Sequence, residues 1–206
     1  MLSISKIFNG NCEFLFGAHN YSQIPKSHYP ELAFIGASNV GKSSLINTLL
    51  QQKIAIVSNT PGRTRQLNFF KITGFKDGFI IVDMPGYGFA KASDKDIKHW
   101  QKCSFEYLAQ RKNLQRVFLL IDPKKDLKES DLEMINNFNT LAISFQIILT
   151  KCDKISRQEQ ENFINKLQNI SKKWPAFFNQ IIISSSSKNY GIKDLQYSIL
   201  EILKFL

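Results

Sequence analysis

One eight-residue segment limits the folds open to this chain more than any other feature. The pattern G-x-x-x-x-G-K-[ST] is met by Gly36, Ala37, Ser38, Asn39, Val40, Gly41, Lys42 and Ser43. An apolar, strand-like run at 32–35 precedes the segment, and a helix-like stretch at 42–50 follows it. A glycine-rich turn between a strand and a helix aims successive backbone N–H groups at phosphate, at the positive end of the helix. The segment therefore predicts a nucleotide-binding α/β domain, with Lys42 on the β/γ-phosphates and the Ser43 hydroxyl on Mg²⁺.

The rest of the chain alternates apolar runs with amphipathic stretches. Strands are expected at 32–35, 67–73, 79–82, 117–121, 145–149 and 181–183, and helices at 42–50, 95–109, 131–138, 157–170 and 192–206. Ser156 followed by Glu159 is a capping-box signature for the start of the fourth helix. Residues 74–78 are too few for a crossover helix, so a hairpin is expected there. The prediction is an α/β fold with a six-stranded, mostly parallel sheet, one antiparallel strand and helices on both faces.

Length and composition agree with one domain. The 206 residues suit a single unit over 1–206, in which 1–30 form an N-terminal extension with an edge strand. No apolar run approaches the ~20 residues of a membrane span, and no signal peptide is evident. A cytoplasmic protein without membrane insertion is therefore expected. Three cysteines without paired spacing exclude a disulfide scaffold and a zinc ribbon.

A second motif follows the strand at 79–82. Asp83, Met84, Pro85 and Gly86 end that strand, where open α/β sheets bind ligands. Asp83 is expected to hold Mg²⁺ through water, and the Gly86 N–H to meet a γ-phosphate. Residues 59–66 are polar and without hydrophobic period, so we expect a loop that orders around γ-phosphate and Mg²⁺. Either Thr60 or Thr64 would complete the metal shell.

A third group of residues predicts which base is bound. Thr150, Lys151, Cys152 and Asp153 follow the strand at 145–149. A carboxylate accepts from the N1–H and N2–H₂ of guanine, whereas adenine has an acceptor at N1 and no 2-amino group. Asp153 is thus the expected guanine reader, with the Lys151 stem over the base. A backbone N–H of the run Ser184, Ser185, Ser186 and Ser187 is expected on guanine O6, and which serine supplies it stays open.

These motifs make the chain resemble the EngB family of bacterial ribosome-biogenesis GTP-binding proteins, within the TrmE-Era-EngA-EngB-septin-like P-loop GTPases. The likeness covers residue 12 to the C-terminus and is carried by 38–44, 61–64, 68–70, 83–91 and 150–154. It implies a Ras-like fold, Mg²⁺, and hydrolysis of GTP to GDP and phosphate. It also implies a role in assembling the large ribosomal subunit and a link to septation and cell division. Two departures are Ala37 in place of arginine and 122–125 in place of Asp-x-Arg-His.

The resemblance also assigns residues. It selects Thr64 as the switch threonine, so that Ser43, Thr64 and Asp83 form the metal set and Lys42, Thr64 and Gly86 the catalytic set. It adds further nucleotide contacts at Ser44, Gly62, Arg63, Arg65 and Gln66. Tyr87 stands where many regulatory GTPases carry a water-orienting glutamine, so slow intrinsic hydrolysis is expected. Asn39 resembles an asparagine that coordinates K⁺ in related GTPases; the alternative is that it only stabilises the loop.

The net charge of the chain indicates which class of partner it binds. Twenty-seven Lys and Arg against 17 Asp and Glu give a net charge of +10, which favours a polyanion. We expect a monomer that binds the large ribosomal subunit and its rRNA, first through Arg63, Arg65, Lys91, Lys95 and Lys98. The alternative is a signalling or cell-division switch with a protein effector and no RNA contact. A metabolic P-loop kinase is a third interpretation, which Asp153 opposes.

Overall fold

Seven strands form one mixed sheet in the computed structural model of the chain. The structure describes residues 7–9, 12–55, 66–73, 78–87 and 94–204, with 94–100 described for their backbone only. The strands are β1 (Cys12–Ala18), β2 (Glu31–Gly36), β3 (Leu67–Ile72), β4 (Phe79–Asp83), β5 (Leu114–Ile121), β6 (Phe145–Leu149) and β7 (Ile182–Ile183). The helices are α1 (Lys42–Leu50), α2 (Asp94–Gln110), α3 (Glu129–Thr140), α4 (Arg157–Ser171) and α5 (Ile192–Ile202). The strands lie side by side in the order β1-β3-β4-β2-β5-β6-β7.

The predicted strand count of six is wrong by one, because β1 joins the same sheet. β1 pairs antiparallel with β3, from Cys12 opposite Ile72 to Ala18 opposite Leu67. Without β1, the outer edge of β3 would present a row of unpaired backbone N–H and C=O groups. β3 also pairs antiparallel with β4, as the predicted hairpin requires. Since the other strand pairs are parallel, β3 is the one antiparallel strand among the described residues, which confirms the mixed sheet.

Helices cover both faces of the sheet, as predicted. Side chains of a strand alternate between the two faces, so Leu32 and Phe34 of β2 pack with α1 and α5. Ala33 and Ile35 of the same strand belong to the opposite cluster, which contains apolar side chains of α2, α3 and α4. All six residues of β2 are buried, because a central parallel strand is covered on both sides.

The helix boundaries agree closely with the sequence pattern, except at the C-terminus. The Ser156 hydroxyl accepts from the Glu159 N–H (3.3 Å), and a Glu159 carboxylate oxygen accepts from the Ser156 N–H (2.7 Å), which confirms the capping box. The last helix ends at Ile202 rather than continuing to 206, and Lys204 has a left-handed backbone (φ 55°). Among the described helices, none is both long and apolar enough to span a bilayer.

Candidate functional site

The carboxyl ends of four parallel strands meet at one edge of the sheet. β2 ends at Gly36, β4 at Asp83, β5 at Ile121 and β6 at Leu149, and β2 and β5 are neighbours at the centre of the sheet. Parallel register brings the ends of these strands together although the chain separates them widely. The glycine-rich loop, the segment after Asp83 and the segment after Leu149 therefore line the same opening, which is where open α/β sheets bind ligands.

The glycine-rich loop has a conformation that suits phosphate. Gly41 has φ 106°, a left-handed conformation that glycine adopts without steric cost. Asn39 is also left-handed, with φ 60°, and asparagine tolerates this region better than most residues. The Gly41 carbonyl accepts from the Leu45 N–H (2.9 Å), so α1 begins directly at the loop. The free N–H groups of the first turn of α1, which contains Ser43 and Ser44, consequently face the opening.

Lys42 and Asp83 converge at the phosphate end of the opening. The Lys42 ammonium forms an ion pair with a carboxylate oxygen of Asp83. Both side chains are buried, at 8% and 2% exposure. Beside a glycine-rich loop, a buried ammonium group can pair with the phosphates of a nucleoside triphosphate, and a buried carboxylate can bind a hard divalent cation. The residues present thus fit the phosphates of a nucleotide together with Mg²⁺.

Residues 84–87 lie against the glycine-rich loop. The Ser38 N–H donates to the Tyr87 carbonyl (3.1 Å), and the Tyr87 N–H donates to the Gly36 carbonyl (3.3 Å). A Cβ atom at Gly86 would lie 3.1 Å from the Gly36 carbonyl oxygen and 3.3 Å from the Ser38 nitrogen, so the close approach favours glycine there. Met84 and Pro85 are buried, and the Met84 N–H donates to the Phe34 carbonyl (3.0 Å). Of this segment, Gly86 is the half-exposed residue.

The Tyr87 side chain points into the protein rather than into the opening. Its hydroxyl donates to a carboxylate oxygen of Asp131 in α3 (2.7 Å). Burial, followed by the charge of Asp131, raises the pKa of Tyr87 well above its usual value. The other Asp131 oxygen accepts from the Lys128 N–H (2.9 Å). The phenol is therefore a buried hydrogen-bond donor that holds residues 84–87 to the start of α3.

The base-reading segment is bonded to the glycine-rich loop. The Thr150 hydroxyl donates to the Val40 carbonyl (2.7 Å). The Lys151 ammonium donates to the Asn39 carbonyl (2.6 Å) and pairs with Asp122 at the end of β5 (3.0 Å). Sequence reasoning did not single out Asp122 as a site residue. Its signal was present, because Asp122, like Asp83, is a carboxylate placed at the end of an apolar strand.

Asp153 is held by two serine hydroxyls. Ser185 donates to one carboxylate oxygen (2.6 Å) and Ser187 to the other (3.0 Å). The Ser185 hydrogen bond is the main cause that lowers the pKa of Asp153, which is exposed and stays ionised at neutral pH. Each carboxylate oxygen keeps lone-pair capacity for a further donor. The carboxylate is thus oriented to accept two N–H groups, as guanine recognition requires.

Two residues of the predicted nucleotide set have buried side chains. The Ser184 hydroxyl donates to the Leu149 carbonyl (2.8 Å), and the side chain is 1% exposed. Cys152 is fully buried, and burial raises the pKa of its thiol to about 11. The Ser184 N–H donates to the Leu149 carbonyl (2.8 Å) and the Ser185 N–H to the Tyr190 carbonyl (3.1 Å), which leaves the half-buried Ser186 as the next serine of the run. The run was expected to supply a backbone N–H, whereas Ser187 contributes its hydroxyl, which donates to Asp153.

Several predicted site residues lie outside the described residues. These are Thr60, Gly62, Arg63, Thr64, Arg65 and Lys91, together with the side chains of Lys95 and Lys98. Gln66 is described: its amide nitrogen donates to Asn68 (2.9 Å), and the side chain packs against Gly17 of β1. The Gln66 side chain therefore lies next to β1, and its partner Asn68 is opposite Asp83 in the pairing of β3 with β4.

Comparison with known proteins places this geometry in a family. The model of a family described as 50S ribosome-binding GTPase matches residues 31–151. The EngB GTP-binding protein of Bartonella tribocorum is 43% identical over 208 aligned positions, covering 98% of this chain and 97% of that protein. A crystal structure of an EngB GTP-binding protein has a TM-score of 0.66 at 25% identity, covering 85% of this chain and all of that one. Era in complex with MgGDPNP and nucleotides 1506–1542 of 16S ribosomal RNA has a TM-score of 0.70 at 26% identity, covering 84% of this chain and 56% of Era.

Proposed function

Because the chain belongs to the EngB family of GTP-binding proteins, we propose that this P-loop GTPase is a Mg²⁺-dependent nucleotide switch in the assembly of the large ribosomal subunit. One observation carries the proposal. A family described as 50S ribosome-binding matches residues 31–151 of a chain whose net charge is +10. That charge favours a polyanionic partner such as rRNA. The similar protein Era was solved in complex with ribosomal RNA, which supports the same class of partner.

In the proposed complex, GTP lies along the edge of the sheet, with its base at Asp153 and its phosphates at the glycine-rich loop. Asp153 accepts from guanine N1–H and N2–H₂, and the Ser186 N–H donates to O6. The Lys151 stem covers the base, since its ammonium is anchored at Asn39 and Asp122. The backbone N–H groups of 36–44 surround the phosphates.

The metal-binding role falls to Ser43, Asp83 and Thr64, the last of which lies outside the described residues. Ser43 would hold Mg²⁺ directly and Asp83 through a bound water. Hydroxyl and carboxylate oxygens are the ligands this ion prefers, alongside phosphate. When bound, the ion supplies positive charge to the β- and γ-phosphate oxygens. Lys42 would leave Asp83 and pair with the same phosphates.

Hydrolysis in this site has few protein groups to stabilise the transition state. The buried hydrogen bond between Tyr87 and Asp131 supports the expectation that Tyr87 does not orient the attacking water. Lys42 and the Gly86 N–H remain to stabilise charge that develops on the phosphates, with Thr64 as the third group. We therefore propose slow intrinsic hydrolysis, with K⁺ near Asn39 as a further source of positive charge.

The proposed switch depends on the γ-phosphate. Its contacts with Thr64 and Gly86 would order two loops that carry basic residues, namely Arg63, Arg65, Lys91, Lys95 and Lys98. Ordered cations meet RNA phosphates at a smaller entropy cost than mobile ones. We further propose that the protein is required for normal septation and cell division, because both need complete large subunits.

A sedimentation experiment tests this function. Full-length protein is pelleted with isolated large or small ribosomal subunits, in a non-hydrolysable GTP analogue, in GDP or without nucleotide, across a salt series. We expect preferential binding to the large subunit in the GTP-like state, weakening steeply with salt. Equal binding in all three nucleotide states would contradict the switch. Preference for the small subunit would contradict the partner.

The alternative function, a switch with a protein effector, makes a different prediction in the same experiment. A protein effector unrelated to the ribosome would leave the GTPase in the supernatant at all salt concentrations.

The cytoplasm is the compartment that the proposed partner requires, since ribosomal subunits are assembled there in bacteria.

A further inference from the structure

A short basic loop follows β5 on the side of the opening away from β4. It comprises residues 122–128, here called the lysine loop, and it exposes Lys124, Lys125 and Lys128. Its conformation is well defined: Pro123–Lys125 form a 3₁₀ turn, and the Asp122 carboxylate caps the turn by accepting from the Lys124 N–H (3.2 Å). The loop contains no aromatic residue. It therefore presents lysines on a fixed backbone, without a surface on which a base could stack.

The lysines of this loop carry charge that is not neutralised locally. Its two acids are each paired with a lysine from elsewhere, Asp122 with Lys151 (3.0 Å) and Asp126 with Lys166 (2.7 Å). Within the part of the chain that the structure describes, none of the three loop lysines forms an ion pair.

Two other carboxylates face the lysine loop, and both are already engaged. The Glu159 carboxylate accepts from the Ser156 hydroxyl and from the Ser156 N–H, each at 2.7 Å. The positive charge of Lys124 also contributes to lowering the pKa of this carboxylate. Asp131 accepts from Tyr87 and from the backbone of Lys128. Among the described residues, nothing therefore competes with an external anion for the three ammonium groups.

Both ends of the lysine loop are bonded to the nucleotide site. At its start, Asp122 pairs with Lys151, which donates to the Asn39 carbonyl of the glycine-rich loop (2.6 Å). At its end, the Lys128 N–H and the Tyr87 hydroxyl donate to the two oxygens of Asp131. The loop thus contacts the phosphate-binding segment through one link and the segment after Asp83 through the other.

We propose that the lysine loop is a contact surface for the sugar–phosphate backbone of RNA, positioned by the nucleotide site through these two links. Lysine binds phosphate as a compact point charge. Three lysines without an ion-pair partner among the described residues lie within five positions. Their combined positive charge matches the negative charges of consecutive phosphates better than it matches a protein surface. Without stacking residues, the contact is expected to be independent of RNA sequence. The inference rests on the proposed function, because it names a surface by which that function reaches rRNA.

The test compares two variants that change the net charge equally. Lys124→Glu/Lys125→Glu and the control Lys172→Glu/Lys173→Glu each lower the net charge of +10 by four, to +6. Lys172 and Lys173 are exposed just after α4. They lie near the start of β6, where the Ala176 carbonyl accepts from the Phe145 N–H (3.1 Å), at the edge of the sheet opposite the nucleotide site. All three full-length proteins are sedimented with large subunits, and with protein-free large-subunit rRNA, in a GTP analogue between about 50 and 200 mM salt.

The loop variant should bind subunits and rRNA roughly tenfold more weakly than the wild type, with a salt slope shallower by about two. The control should stay within about threefold of the wild type, and its slope should not change. The advantage of the GTP-like state over GDP should shrink in the loop variant alone. GTP affinity, measured separately, should be the same in all three proteins.

Other outcomes overturn the inference and can be told apart from failure of the proposed function. Equal weakening in both variants means that the charge acts non-specifically, and full binding by the loop variant means that the loop makes no contact. Loss of subunit binding with unchanged rRNA binding assigns the loop to a ribosomal protein instead. If the wild type itself binds neither subunits nor rRNA, the proposed function fails, whatever the loop does.

Discussion

At the scale of single residues, the carboxylate of Asp153, which we propose to read the base, is held by neighbouring protein groups. Two serines hold the oxygens of Asp153, so little ordering remains for binding to impose. Asp153→Asn exchanges an acceptor for a side chain that can donate to the O2 of xanthine. We expect GTP affinity to fall roughly ten- to a hundredfold and XTP affinity to rise, measured by competition with a fluorescent nucleotide. Equal affinity of the wild type for ATP and GTP would contradict the assignment of Asp153.

Ser187 offers a finer test of the same site. Ser187→Ala leaves one oxygen of Asp153 without its serine donor while Ser185 stays in place. We expect GTP affinity to fall roughly two- to fivefold. In the Asp153→Asn background the same change should have a smaller effect, because interacting residues are not additive. An equal effect in both backgrounds would mean that Ser187 acts independently of the carboxylate.

At the scale of elements, the conformation of the glycine-rich loop is compatible with both roles considered for Asn39, which are stabilisation of the loop and coordination of K⁺. Its left-handed backbone supports a role in loop conformation, and among the described residues its side chain has no hydrogen-bond partner that would compete with K⁺. Asn39→Gly removes the side chain but keeps this conformation accessible, whereas Asn39→Ala would strain it. We expect wild-type turnover to be faster in K⁺ than in Na⁺, and Asn39→Gly to lose that difference. Stimulation that persists in Asn39→Gly would leave Asn39 with the loop role alone.

The hydrogen bond between Tyr87 and α3 allows a test of whether the Tyr87 hydroxyl stabilises the fold or takes part in hydrolysis. Tyr87→Phe leaves an oxygen of the buried Asp131 without its donor, which should lower the free energy of unfolding by about 1.5–3 kcal/mol. Because the phenol points away from the opening, single-turnover GTP hydrolysis should change less than about twofold, well under the effect of losing a catalytic group. The exposed Tyr197→Phe serves as the control for stability. A large loss of turnover with unchanged stability would show that Tyr87 acts on the attacking water.

At the scale of the whole molecule, the N-terminal extension is fastened to the domain by a buried charged cluster. Glu31 is fully buried at the start of β2 and accepts from Arg111 (2.6 Å) and from the Tyr107 hydroxyl (2.9 Å). Arg111 also donates to the Pro25 carbonyl (3.0 Å). Together with the pairing of β1 and β3, these bonds support the proposal that residues 1–206 fold as one unit.

Removing the central carboxylate should therefore destabilise the entire chain. Glu31→Ala leaves the half-buried Arg111 guanidinium without its carboxylate partner, and breaking a buried pair in this way typically costs about 3–5 kcal/mol. We expect urea unfolding to remain a single transition at a lower midpoint. The matched control is Glu161→Ala, which breaks an exposed pair with Arg157 and should cost less than about 1 kcal/mol. Two separate transitions in the wild type would contradict a single cooperative unit.

Features that depend on neighbouring residues could be predicted from the amino-acid sequence. The glycine-rich loop, the caps and the alternation of strands and helices follow from local backbone preferences and hydrophobic period, and these predictions agree with the structure. Tertiary structure alone decided which distant groups meet. Lys151 reaches Asn39 across 112 positions and Tyr87 reaches Asp131 across 44, and the edge strand expected within 1–30 pairs with β3. The hydrophobic period of the sequence does not indicate backbone pairing and side-chain contacts of this kind. Their geometry is set by strand order and by which helix ends pack together.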